Sequence, residues 1–301
     1  MGNNDLTIII PSLFLNSMLR EQDRDEVIME EIRTWLKCRI HGISLRSLND
    51  RFHRKFEAAM QQYYTCAGNR TGVTPDMVKR TKLTNSTINA ECLRHVEEKC
   101  DNASLRAIKF IRLRMRHVAK LLPFYPNMKI IHLNRDPRGI MNSRFDLQLY
   151  RAHHSFPDTL NDMCKSVYSD LKIVKSLVKY FPDRVKFVLY EELAEEPLKI
   201  AKEIYQFIGI DYTEATENFI LASTSSTTDS CKFCTSRKNS SSTASHWRGS
   251  MRMAAVTAVQ RACRQSNAIL GFLDFHGEAQ LRDLSLPSRA KKSIGESVVN
   301  S

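Results

Sequence analysis

The sequence has little cysteine for its length, eight residues in 301. That is too few and too scattered for a small scaffold held together by disulfides. Only one C-x-x-C occurs, Cys231–Cys234, and no second pair completes a zinc site. The nine histidines add no clear ligand set, so no metal is expected. The spacings from Cys38 to Cys66 and from Cys92 to Cys100 suit structural disulfides, although spacing does not fix connectivity. Long hydrophobic runs are missing as well. Leu6 to Leu15 is apolar, but Pro11 interrupts it and no basic region precedes it. It is too short to span a bilayer and a poor signal peptide. No internal repeat is present, which excludes a solenoid.

Acidic residues are in deficit: 33 Asp and Glu stand against 45 Lys and Arg, a net charge of +12. Such an excess attracts polyanions, whether nucleic acid, acidic membrane, sulfated glycan or a phosphorylated cofactor. Charge does not choose among them. No recognition-helix motif or zinc finger is found, which argues against nucleic acid. A composition 42% hydrophobic and 26% charged is that of a globular chain, forming one large domain or two small ones.

Four N-glycosylation sequons begin at Asn69, Asn85, Asn102 and Asn239. Three fall within residues 69–104 beside cysteines, which favours a secretory-pathway lumen. A luminal chain without an entry signal or anchor is expected to lack its N-terminal part.

The segment pattern is that of an α/β protein. Thr7 to Ile10 is a short strand, Asp25 to Cys38 an amphipathic helix with Ile28, Ile32 and Trp35 on one stripe, and Asn49 to Tyr64 a second helix. Residues 65–90 are polar and predict a surface loop. Strands follow at Ala107 to Ile111, Met128 to Leu133 and Arg184 to Tyr190. Helices are expected over Arg116 to Leu122, Arg138 to Tyr150, Thr159 to Tyr180 and Pro197 to Ile208, the last opening on its proline. Residues 223–245, rich in Ser and Thr, predict a loop before a helix over Met251 to Leu270. From residue 279 the polar tail is expected to be disordered. Alternating strands and helices imply a mainly parallel sheet.

The chemistry concentrates in Leu133-Asn134-Arg135-Asp136-Pro137-Arg138-Gly139, continuing to Asn142-Ser143-Arg144. A hydrophobic strand ends in a polar turn, Asp136 can cap the next helix, and Pro137 fits its first turn. Open α/β sheets bind ligands at the carboxyl ends of strands, and helix N-termini present N–H groups to anions. Arg135 and Ser143 could together grip a phosphate. The competing reading is that Asp136 pairs with Arg135 or Arg138 and only caps the helix.

This segment resembles the 3′-phosphate-binding motif of the Golgi carbohydrate sulfotransferases, the galactose, N-acetylgalactosamine and N-acetylglucosamine 6-O-sulfotransferases. Three further stretches agree in order. Cys92 through Cys100 to Ala107-Ile108-Lys109-Phe110-Ile111-Arg112-Leu113 is similar to the strand before that motif. Leu189-Tyr190-Glu191-Glu192-Leu193 through Pro197 is similar to the family's arginine-tyrosine-glutamate-aspartate-leucine segment. Thr235-Ser236-Arg237-Lys238-Asn239-Ser240 to His246-Trp247-Arg248 resembles its C-terminal donor loop.

The resemblance spans roughly residues 30–275. It implies a P-loop-like α/β sulfotransferase fold with helices flanking a mainly parallel sheet, and a sulfotransferase domain over residues 31–278. It implies 3′-phosphoadenylyl sulfate as donor, a sugar hydroxyl of a glycosaminoglycan or glycoprotein glycan as acceptor, and a Golgi-lumen location. Arg135 and Ser143 would hold the 3′-phosphate, and Arg237 with Lys238 would close over the nucleotide. Tyr190 and Glu191 would organise the sheet edge, while Trp247 and Arg248 would pack.

One part of the pattern is missing. The family cradles the 5′-phosphosulfate in a basic, glycine-serine loop opening a helix near the N-terminus. Residues 1–30 depart from it: after Ile8-Ile9-Ile10 come Pro11-Ser12-Leu13-Phe14-Leu15-Asn16-Ser17-Met18, with no glycine and no basic residue before Arg20. Neither Glu21 nor Glu26 can be assigned as the catalytic base.

Overall fold

A computed structural model describes residues 6–10, 21–42, 60–80, 86–110, 113–146, 155–227 and 236–290. The chain divides into two compact units, Met1–Val118 and Ala119–Ser301. Each contains one pair of parallel strands, as the alternation of strand and helix predicts.

In the first unit, strands β1 (Leu6–Ile10) and β2 (Arg106–Phe110) run parallel from the pair Leu6 and Arg106 to the pair Ile10 and Phe110. Between them come helices α1 (Glu21–Leu36), α2 (Gln61–Thr71), α3 (Pro75–Arg80) and α4 (Ser86–Asp101). The last three correct the expected surface loop over residues 65–90. That stretch is polar on average, but Ala67 and Val78 within it, and Cys92, Leu93 and Val96 further along α4, are buried. The second helix expected over Asn49 to Tyr64 falls mostly outside the described residues.

Two disulfides lie in the same core. Cys38 pairs with Cys100 and Cys66 with Cys92, a nested pattern that spacing alone does not reveal. They surround Trp35, Ile40, Met60 and Tyr64. The buried Tyr63 hydroxyl donates to Asn89 Oδ1 at 2.8 Å, and burial pushes its pKa up to about 12. Asn69 and Asn102, which open two of the sequons, are exposed.

Helix α5 (Met115–Leu121) spans the division between the units. In the second unit, β3 (Ile130–Asn134) and β4 (Val185–Leu189) pair residue for residue in parallel. Helix α6 (Pro137–Asp146) follows β3, and α7 (Phe156–Tyr180) precedes β4. Ser155 caps α7 by accepting from the Asp158 N–H at 3.2 Å. After β4 come α8 (Tyr190–Glu195), α9 (Pro197–Ile208) and α10 (Glu214–Thr224). Gly209 ends α9 in the left-handed region, φ 79°, where a Cβ would strain the turn.

Residues 223–245 are not wholly loop, because α11 (Ser240–Ser245) starts on an Asn239 cap. Next are α12 (Trp247–Ser250), α13 (Met253–Ala262), α14 (Arg264–Leu270) and α15 (Glu278–Arg282). The single helix expected over Met251 to Leu270 is thus broken at Cys263, whose disulfide to Cys164 ties it to α7. Cys231 and Cys234 lie outside the described residues.

The expectation of a disordered tail from residue 279 is corrected as far as residue 290. Leu281 is fully buried, and Leu273 N–H donates to Ser288 O while Ala290 N–H donates to Gly271 O. The buried Arg248 guanidinium donates to the carbonyls of Gln280, Leu281, Asp283 and Leu286. Polar sequence stays ordered here because an internal arginine satisfies the carbonyls at the end of α15.

Candidate anion-binding site

Because β3 and β4 are parallel and paired through Asn134 and Leu189, their carboxyl ends open on one edge. Arg135 to Pro137 leave from one strand, and Tyr190 and Glu191 from the other. Asn134 Oδ1 accepts from the Arg135 N–H at 2.8 Å. Glu191 Oε1 accepts from the Asp136 N–H at 3.0 Å. The two strand ends are therefore joined by a side-chain hydrogen bond as well as by the ladder.

The arginines on either side of Asp136 behave differently. Arg138 is fully buried and forks onto Asp136, Nε to Oδ1 at 2.9 Å and Nη2 to Oδ2 at 2.8 Å. Its Nη1 donates to Leu273 O at 2.7 Å and to Gln260 Oε1 at 3.2 Å, and its face lies 4.6 Å from the Trp247 ring centre. Asp136 Oδ1 also accepts the Arg138 N–H at 2.8 Å and so caps α6. The capping reading of this turn thus holds for Asp136 and Arg138.

Arg135 takes no part in that pairing. Its half-buried guanidinium stacks 4.5 Å from the Tyr190 ring centre. Its Nε is buried and has no hydrogen-bond partner among the described residues, an unsatisfied donor of the kind an anion would complete. The side chain lies along the first turn of α6. A Cβ at Gly139 would come 3.1 Å from Arg135 Nε and 3.2 Å from Trp247 Cδ1. Glycine is required there by close approach. Ser143 stands one helical turn beyond Gly139, and residues four apart share a helix face. Arg135 and Ser143 thus fall along one side of α6, Arg135 just before its first turn and Ser143 in its second.

Arg237 is placed less directly. Its N–H donates to Ser223 O, its carbonyl accepts from Ser226 N–H, and its Nη1 donates to Ser236 O. The segment reaches α8 through Ser240 Oγ, which donates to Ala194 O at 2.6 Å. Arg237 is thus anchored to the end of α10, on a segment that also touches the helix bearing Tyr190. The His246-Trp247-Arg248 stretch is structural: Trp247 and Arg248 are buried, and Trp247 meets Phe275 edge-on.

Glu191 is the group that the sequence reading undervalued. Assigned to the sheet edge, it is buried at the site, with Oε2 unpartnered among the described residues. Burial, reinforced by the Asp136 carboxylate, pushes its pKa up to about 7. The legible signal was a Tyr-Glu pair directly following a hydrophobic strand; what the sequence hid was that this strand pairs with β3. The 5′-phosphosulfate loop was expected before residue 30, and within that stretch residues 1–5 and 11–20 lie outside the described residues. Among those described, no group of three or more His, Cys, Asp or Glu is arranged to hold a metal. Also among them, no helix is long and apolar enough to cross a membrane.

A sequence model of the sulfotransferase family matches residues 19–214, well over half of the chain. The chain belongs to the sulfotransferase family. The matched span includes Arg135, Ser143 and Glu191 and stops short of Arg237. Carbohydrate sulfotransferase 1 of Homo sapiens is 30% identical over 228 residues, 70% of this chain and 54% of that protein. Carbohydrate sulfotransferase 5 of Mus musculus is 27% identical over 215 residues, 63% of this chain and 53% of that protein. Carbohydrate sulfotransferase 3 of Mus musculus is 27% identical over 206 residues, covering 63% and 43%. The chain thus spans about half the length of the curated relatives it matches. Among solved structures, the sulfotransferase domain of the Synechococcus PCC 7002 olefin synthase matches with a TM-score of 0.38 and 14% identity, over 86% of this chain and 94% of that one.

Proposed function

We propose that this sulfotransferase-family chain transfers a sulfuryl group from 3′-phosphoadenylyl sulfate to a sugar hydroxyl of a glycan, at the 6-O position. The observation that carries the reading is Arg135: a guanidinium held flat on Tyr190, beside Gly139, with a buried Nε left without a partner. A 3′-phosphate would complete it, with Ser143 adding a hydroxyl one turn along α6 and Arg237 closing from the C-terminal segment. The carbohydrate sulfotransferases among its relatives support a glycan acceptor, either a glycosaminoglycan or a glycoprotein glycan. The sequons and the buried disulfides support a lumen of the secretory pathway, the Golgi.

In the reaction, the sugar oxygen forms a bond to sulfur while the bond from sulfur to the 5′-phosphate oxygen breaks. The hydroxyl proton leaves to a base, and adenosine 3′,5′-bisphosphate departs. The groups described here act on the far end of that leaving product: they bind and orient it so that the sulfur lies in line.

A second reading, a family member that binds nucleotide or sulfated glycan without transfer, is favoured by one sequence observation. Residues 11–19 carry neither the glycine nor the basic residue that a phosphosulfate cradle needs. Calorimetric titration with adenosine 3′,5′-bisphosphate, followed by a radiolabelled transfer assay on keratan and chondroitin acceptors, separates the two. Binding with transfer supports the enzyme, and binding without transfer supports the inactive member. Absence of nucleotide binding overturns the enzyme and leaves only a member that binds sulfated glycan.

A further inference from the structure

Glu191 is ill-matched to its surroundings if it only braces the sheet edge. One carboxylate oxygen holds the Asp136 N–H at 3.0 Å. The other is buried and has no hydrogen-bond partner among the described residues. A buried ionised oxygen without a donor is costly, and a neutral carboxyl group is much less so. The charges facing Glu191 are the Asp136 carboxylate, which repels an ionised form, and the Arg135 guanidinium, which favours it.

The elements packed on α8 keep their remaining charges paired elsewhere. Arg289 engages Glu192 and Glu195, Lys199 engages Glu196, Lys186 of β4 engages Glu203, and Lys202 engages Glu217. Helix α11 (sequence Ser-Ser-Ser-Thr-Ala-Ser) carries no titratable side chain. Arg135 is a positive charge that favours ionised Glu191, and it is also the group assigned to the ligand anion.

We propose that Glu191 is a proton-linked positioning residue of the nucleotide site: when a phosphate binds at Arg135, the Glu191 carboxylate takes up a proton from solvent. The inference rests on the assignment of Arg135 to the 3′-phosphate. A bound phosphate neutralises the guanidinium that supports the carboxylate and adds negative charge beside it, and both effects favour the neutral acid. Oε1 remains the acceptor for the Asp136 N–H in either state, so the turn that presents Arg135 stays in place while the charge behind it is removed. Near neutral pH the carboxyl is partly ionised in the free protein, so uptake is greatest there. Affinity for the nucleotide then weakens as pH rises, by linkage.

The test is calorimetric titration of the whole chain with adenosine 3′,5′-bisphosphate between about pH 6 and 8. Each pH is run in buffers of differing ionisation enthalpy, so that the slope reports protons exchanged on binding. Glu191→Gln keeps the acceptor at Oε1 and cannot titrate. Proton release by the ligand's own phosphates is common to both proteins and cancels in the difference. Wild type is expected to take up a fraction of a proton more than Glu191→Gln near pH 7, and to lose affinity more steeply with rising pH. Equal proton counts with binding intact would overturn the proposal. Loss of nucleotide binding by wild type itself would instead overturn the assignment of Arg135. Should Glu191→Gln fail to fold, the wild-type proton count across the same range decides: a flat profile, beyond the ligand's own titration, sinks the idea.

Discussion

The Asp136 carboxylate and the Arg138 guanidinium form a two-pronged pair, 2.9 and 2.8 Å, with both side chains fully buried. The pair commits two of the three charges in the Arg135-Asp136-Pro137-Arg138 turn to the interior and leaves Arg135 as the one available to an anion. Removing either partner strands the other charge in the interior. Arg138→Leu is expected to cost about 3–5 kcal/mol of stability, measured by urea unfolding. Arg135→Ala, in contrast, should leave stability within about 1 kcal/mol and weaken nucleotide binding by about 2–4 kcal/mol. Reversed outcomes, with Arg135 structural and Arg138 needed for binding, would show the two roles to be misassigned.

Gly139 marks how closely the Arg135 side chain lies on α6. An added methyl would sit 3.1 Å from Arg135 Nε and 3.2 Å from Trp247 Cδ1. Trp247 is held in the core and cannot yield, so the arginine must move. Gly139→Ala is expected to lower nucleotide affinity several-fold and to destabilise the fold by about 1–3 kcal/mol, as overpacking does. Unaltered affinity in a titration of the folded variant would mean that Arg135 reaches its ligand from a different pose.

Arg248 organises the last described segment. Its guanidinium serves four carbonyls between Gln280 and Leu286, while Arg138 and Arg289 hold Ser288 and Glu192. Arg248→Met keeps much of the side-chain bulk and removes every donor. Faster amide exchange confined to residues 280–290 is expected, with little change in α7 or β4. Exchange rising uniformly across the second unit would assign Arg248 to the core rather than to this segment.

Glu191 gives the fold a pH dependence of definite sign. Its pKa rises from an ordinary 4.5 to about 7 on folding. Between these values the folded chain holds a proton that the unfolded chain has lost. Its contribution is therefore undiminished below pH 4.5, falls as pH rises, and is fully lost above about 7. The expected loss is about 3 kcal/mol across that window. Glu191→Gln removes this slope, so the variant should gain stability relative to wild type between acid and neutral pH. A gap between the two that does not change with pH in urea titrations would refute it.

Much of the second unit could be read from residue order alone. The hydrophobic run ending at Asn134, a capping aspartate and a proline at the first helical position dictate strand, turn and helix wherever they occur. The bounds of α9 were legible for the same reason, with proline at its start and glycine in the left-handed region at its end. These are local effects, carried by neighbours in the chain.

What residue order could not convey depended on partners distant in sequence. Residues 65–90 looked like loop because their apolar positions are few, and the parts of α2 to α4 within them become core only where Trp35, Ile40 and two nested disulfides gather around them. The segment past residue 279 looked disordered because its donors, Arg138 and Arg248, stand more than 30 residues away. The site divides in the same way. Sequence alone determined that an arginine would stand at the end of a strand, before a capped helix. Only the tertiary structure decided which arginine stays available, because the parallel pairing of β3 with β4 brings Tyr190 and Glu191 to that turn while the interior claims Arg138.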